Sequence, residues 1–243
     1  SSHDKGEEGE GHTSDHGQIL RDNVYGNQEE DAIRRDFTVN ALYYNVRDFS
    51  VHDYAGGLED IENRTLRMIG DPLTRYREDP VRILRAIRFA AKLDFSIAPE
   101  TAAPVRELAG LLSNVPSARL FDEVLKLLMT GHGRRTLGLL TEYNLLEHLL
   151  PDTAAFCARS EQARNLVQLS LQSTDERVQS SRTVTPAFLF AALLWPAVFD
   201  REQLLEQEGL PPMQAMQAAA YEVVERQIRI TALPKRFSLP MKE

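Results

Sequence analysis

The sequence has one cysteine, Cys157, in 243 residues, which excludes an internal disulfide. A lone thiol fits a reducing compartment, so a cytoplasmic location and a passive thiol are expected. No apolar run approaches the roughly 20 residues of a membrane helix. No signal-peptide pattern opens the chain, so no membrane partner is expected. Positive charge is also in short supply: 28 Lys and Arg against 36 Asp and Glu leave a net charge of −8. That balance argues against polyanion binding by the whole surface, and any nucleic acid would need a local basic patch. There is no initiator methionine, because the chain opens Ser1-Ser2-His3, and this suggests a fragment or a processed product. What remains is an ordinary globular mixture, 42% hydrophobic and 26% charged, enough for one large or two small domains.

Residues 1–18 mix Gly with Asp, Glu, Ser and His and read as a mobile loop or arm. His3, His12 and His16 have no metal-ligand spacing there. From Ile19 to Ile69 the pattern is strand-like, with a hairpin expected where Tyr43–Val46 turns at Arg47-Asp48 into Phe49–Tyr54. Gly56-Gly57 breaks the chain, Leu58–Ile61 can make one helical turn, and Thr65–Ile69 reads as a last short strand. Beyond Asp79 the apolar spacing is helical over 79–94, 100–112, 117–130, 133–142, 160–172, 186–194, 202–208 and 213–230. The fold class expected is mostly α with a small β-containing part. Boundaries are expected near residue 70, where strands give way to helix, and near Pro151.

Asp79-Pro80 is a strong helix start, a carboxylate at the N-cap and a proline at the first helical position. At about 100° per residue, Arg85, Arg88 and Lys92 share one arc. Ile83, Leu84, Ile87, Ala90 and Ala91 form the core face. Arg82 lies at the edge of the apolar side, in the first turn, where the helix dipole disfavours a cation. Asp79 and Arg82 are three apart and can meet. They either close the helix end as an ion pair or present a hydrogen-bonding edge to a planar ligand. Upstream, Arg34-Arg35-Asp36 precedes Phe37-Thr38-Val39-Asn40. Asp36 either caps a helix beginning at Phe37, or the arginines hold triphosphate oxygens while the carboxylate faces a metal or ribose.

Arg34–Tyr44, Asp53-Tyr54-Ala55-Gly56-Gly57-Leu58-Glu59-Asp60 and Glu78-Asp79-Pro80-Val81-Arg82, in this order and at these intervals, resemble class II nucleotidyltransferases. That family comprises bacterial poly(A) polymerases and tRNA CCA-adding enzymes. Ile19–Gly26, Tyr43-Tyr44, Ile69–Pro72, Pro186–Ala192 and Leu233-Pro234-Lys235-Arg236 look more like the polymerases.

The resemblance implies template-independent addition of AMP from ATP to RNA 3′ ends, with Mg²⁺ as cofactor, by a monomer. It makes Asp36 the third catalytic carboxylate and Arg35 a triphosphate or ribose contact. Asp79 and Arg82 become the readers of the adenine edge, with Arg85 and Arg88 lining the nucleotide pocket. Arg119 and Glu123 resemble a neck motif and can pair at i, i+4. The expected division is 1–69, the C-terminal part of a nucleotidyltransferase head; 70–150, a nucleotide-selecting neck; and 151–243, a truncated helical body on the RNA side.

The family's other two carboxylates, an Asp-x-Asp after a Gly-rich turn, are not found in the sequence. No residue of this chain is assigned as a metal ligand, and the chain alone is expected to be inactive. Its basic C-terminal region is expected to lie outside the chain, and strands before Ile69 are expected to pair with upstream strands. The alternatives are a CCA-adding enzyme and a noncatalytic RNA- or protein-binding helical module.

Overall fold

The structure, a computed structural model, describes residues 28–234. The arm at 1–18, the segment Ile19–Gly26 and Lys235-Arg236 lie outside the described residues. Within them the chain is mostly helical, with two small two-stranded sheets.

Helix α1 (Gln28–Arg34) leads through a 3₁₀ turn (Thr38–Asn40) to the strands β1 (Leu42–Asn45) and β2 (Ser50–Asp53). These form the expected antiparallel hairpin, with Leu42 opposite Asp53 and Asn45 opposite Ser50. Helix α2 (Gly57–Glu62) and strand β3 (Thr65–Leu66) follow. Then come α3 (Pro72–Glu78), α4 (Val81–Leu93) and strand β4 (Ser96–Ile97), which pairs parallel with β3. Two short helices, α5 (Pro99–Ala102) and α6 (Val105–Leu108), run into a 3₁₀ segment (Ala109–Asn114). The rest is α7 (Ser117–Leu128), α8 (Gly133–Glu142), α9 (Leu146–Leu149), α10 (Pro151–Arg159), α11 (Glu161–Gln179), α12 (Pro186–Gln207) and α13 (Pro212–Ile228).

Helix α4 begins one residue later than its sequence suggests. Pro80 is the N-cap, and the Asp79 carboxylate accepts the Val81 N–H at 3.2 Å. The single helix expected over 100–112 is broken, because Pro104 has no N–H and its ring obstructs a continuous ladder. Conversely, the helices expected at 186–194 and 202–208 fuse into α12 through Pro196. An interior proline costs about 3 kcal/mol. Leu189, Phe190, Leu193 and Leu194 are buried before it, at roughly 1.5–3 kcal/mol each, so burial wins. Helix α3 was not foreseen; its start is an Asp71 cap accepting the Thr74 N–H at 3.0 Å, with Pro72 at the first position.

One apolar core runs from Phe37 to Leu233 and crosses the expected boundaries without interruption. The face Val81, Ile83, Leu84, Ile87, Ala90 and Ala91 pins α4 into it, which fixes the direction of every charged residue on the opposite side.

Candidate functional site

The segment after α1 is held against the chain that follows α2. Thr38 donates its N–H to the Arg67 carbonyl (3.0 Å), and Ile69 donates to the Asp36 carbonyl (2.9 Å). Beneath them the buried Asp60 carboxylate accepts from the Thr38 hydroxyl (2.6 Å) and from Arg67 Nε (3.3 Å). The start of α2 presses on the same turn. A Cβ built on Gly57 would lie 2.3 Å from the Thr38 carbonyl oxygen, so only glycine fits there. Asp53 anchors that start by accepting the N–H groups of Gly57 (2.9 Å) and Leu58 (3.0 Å).

Asp36, thus fixed, uses its carboxylate in two directions. Oδ1 accepts the Phe37 N–H (3.0 Å) and the Asn40 amide (3.3 Å), while Oδ2 accepts Arg85 Nε at 2.5 Å. Asp36 does not cap a helix beginning at Phe37, since Phe37 is itself the N-cap of the 3₁₀ turn and no side chain caps it; one carboxylate oxygen holds the local turn and the other holds Arg85. Arg85 comes from α4, 49 residues away.

A cavity of about 490 Å³ opens over this pair, lined by Arg34, Arg35, Asp36, Asn40, Arg75, Arg82, Arg85 and Phe89. Five guanidiniums around one carboxylate suit a polyanion, because paired cations neutralise phosphate oxygens and bond them in forks. Arg35 pairs with Asp31 (3.1 Å), which also accepts from the Tyr43 hydroxyl (2.5 Å). Arg75 donates to the Arg35 carbonyl at 2.8 Å, and burial together with the nearby Arg82 lowers its affinity for its proton. Arg82 donates to Glu78 (2.8 Å) and to the Arg75 carbonyl (3.0 Å).

Two assigned residues stand elsewhere. Asp79 does not pair with Arg82; Arg119 of α7 forks onto it at 3.0 and 2.7 Å, in an adjoining cleft that includes Leu111 and Asn114. Burial raises the Asp79 pKa, but the Arg119 hydrogen bonds and charge outweigh it, and the net shift is downward. Arg88 is not among the residues lining the Asp36 cavity. Three residues after Arg85, it is turned about 60° back around the helix. It lies over the Phe89 ring at 5.2 Å, within the field of Glu123. Arg88 Nε and Glu123 Oε2 are buried without a hydrogen-bond partner. Nor do Arg119 and Glu123 form the expected pair: both Nη groups of Arg119 are on Asp79, and Glu123 Oε1 accepts from Lys126 at 3.2 Å. Arg75 and Phe89 line the cavity without having been assigned to the site from the sequence.

Among the described residues no group of three His, Cys, Asp or Glu side chains could hold a metal. Asp36 is the single carboxylate in its cavity, so the residues present do not build a Mg²⁺ site.

The family models for the poly A polymerase head domain, for a probable RNA and SrmB-binding site of polymerase A, and for the polymerase A arginine-rich C-terminus match residues 4–67, 94–157 and 208–243. The chain belongs to the nucleotidyltransferase family shared by poly(A) polymerases and CCA-adding enzymes. Within it, the likeness to Poly(A) polymerase I of Salmonella typhi is 47% identity over 242 residues, 97% of this chain and 52% of the relative. The chain thus spans about half the length of that relative. The CCA-adding enzyme of Streptococcus suis is 44% identical over 124 residues, 50% of this chain and 30% of that enzyme. The crystal structure of the Bacillus stearothermophilus CCA-adding enzyme in complex with CTP is 25% identical, with a TM-score of 0.52, over 89% of this chain and 58% of that one. One expectation changes: the arginine-rich C-terminus model matches 208–243, so at least part of the basic C-terminal region lies within the chain.

Proposed function

We propose that this chain is the nucleotide-holding part of an enzyme that adds AMP from ATP to RNA 3′ ends without a template. The observation that carries this is the cavity in which Arg35 and Asp36 of one motif meet Arg82 and Arg85 of another. In this reading the guanidiniums of Arg35 and Arg85 hold the triphosphate, and Arg85 exchanges Asp36 for a phosphate oxygen as ATP enters. Asp36 is then free to act as the third catalytic carboxylate. Arg82 and Asp79 read the adenine edge from adjoining cavities, which requires each to leave its present protein partner. Arg88, behind Phe89, supports the ring and the local positive field. Mg²⁺ accompanies the reaction only with carboxylates beyond those described, and no step is assigned to it.

The same reading divides the chain at about residues 70 and 150 into head, neck and body; the head match at 4–67 supports the first division, while the RNA-binding match at 94–157 runs across the second. It carries an RNA 3′ end as partner, a monomeric state and a cytoplasmic location. None of the described helices is long and apolar enough to cross a membrane.

Primer extension by an enzyme carrying this chain tests the reading, using an oligoribonucleotide or a tRNA lacking its 3′ end with each nucleotide in turn. Extension with ATP alone is expected. Incorporation of C would favour the CCA-adding reading, which rests on the Streptococcus suis likeness over half of the chain.

A further inference from the structure

A second cavity, about 450 Å³, lies between α8, α10 and α11, remote in sequence from Asp36 and unused by the nucleotide site. Its floor is apolar, with Leu137 and Leu140 of α8, Leu146 of α9, and Ala154 and Cys157 of α10. Its polar lining is of another kind: the guanidiniums of Arg134 and Arg164, the amides of Asn144 and Gln168, and the carboxylate of Glu147. Each guanidinium gives one arm to the protein, Arg134 Nη1 to Gln172 (3.0 Å) and Arg164 Nη1 to the Cys157 carbonyl (2.7 Å). A guanidinium has five N–H donors, so both retain donors for an anion. Gly138 also lines the cavity, and a Cβ there would meet nothing within 4 Å. Glycine inside a helix costs about 1 kcal/mol relative to alanine, and no close backbone approach demands it here. The feature a larger side chain would remove is the open space itself.

We propose that this cavity receives one unpaired nucleotide of an RNA chain, with the base between the leucines and the flanking phosphates on Arg134 and Arg164. The chemistry matches part by part. A base has apolar faces for Leu137, Leu140 and Leu146, and a donor–acceptor edge for Asn144, Gln168 and Glu147. The phosphates take the cations, a local basic pair in an acidic chain. A duplex offers no unstacked base, so the cavity favours single strands. The inference rests on the reading that the chain handles RNA, and most of the lining falls within the RNA-binding match at 94–157.

Fluorescence anisotropy of a labelled oligoriboadenylate on the full chain tests it, against Gly138→Leu, Gly138→Ala and the double variant Arg134→Ala/Arg164→Ala. Leucine fills the cavity and favours helix more than glycine does, so a loss of binding is not unfolding. Gly138→Leu is expected to weaken single-strand binding about tenfold while Gly138→Ala leaves it intact. The double arginine variant should lower the logarithmic salt slope by about 1.4. Cys157, the chain's one cysteine, should be alkylated more slowly with RNA bound.

Wild-type affinity in Gly138→Leu, equal binding of a duplex, or no binding by the wild-type chain would overturn the proposal. Calorimetric ATP binding in the same proteins separates the two readings. If ATP does not bind but Gly138→Leu still weakens RNA binding, the nucleotide site fails and this one stands.

Discussion

Burial pushes the Asp79 carboxyl upward and the Arg119 fork pulls it down, and the fork prevails. A carboxyl depressed in the folded state contributes stability above its unfolded value, near 3.8, and loses it as pH falls through the lower folded value. NMR titration should place the Asp79 midpoint below 3.8 in the wild type and higher in Arg119→Ala, where only the Val81 N–H bond and the Arg82 charge still oppose burial. An unmoved midpoint would mean the fork does not persist in solution.

At the same scale, Arg82→Ala in an enzyme carrying this chain should weaken discrimination for ATP over other nucleotides, measured as kcat/KM ratios. Asp36→Asn should abolish turnover and leave the circular dichroism spectrum unchanged, because its Oδ1 contacts survive as amide oxygen contacts. These residues were visible in the sequence as motifs, but their partners were not. Nothing local to Asp36 names Arg85, 49 residues on, and nothing beside Asp79 names Arg119. Only the packed face of α4 decides which way its arginines turn.

Among elements, the hairpin and α4, α7, α8 and α13 could be read from turn chemistry and apolar period, because each is amphipathic and bounded by its own sequence. Strand β3 was legible within the strand read over Thr65–Ile69, but its partner β4 was not, since two residues just beyond α4 carry no pattern. Pro196 misled by the opposite route: a local helix breaker was overridden by tertiary burial. Pro196→Ala should therefore stabilise the fold by about 1–3 kcal/mol, read from the urea midpoint. Gly57→Val should destabilise it by about 1–3 kcal/mol, since its Cβ collides with the Thr38 carbonyl and the backbone must shift.

For the molecule as a whole, the −8 charge coexists with a cavity lined by five arginines, so average charge conceals a local site suited to a polyanion. The core, continuous from Phe37 to Leu233, ties that cavity to the helical body. Helix α4 lends one face to that core and the other to Asp36, so the nucleotide cavity and the helical part share one scaffold.

The most direct measurement is a calorimetric titration of the chain with ATP and with AMP. One ATP should bind per chain, AMP much more weakly, and Arg85→Ala should abolish the preference for the triphosphate. Equal binding of ATP and AMP, or an Arg85→Ala variant that binds ATP as the wild type does, would contradict the assignment of this cavity to the nucleotide.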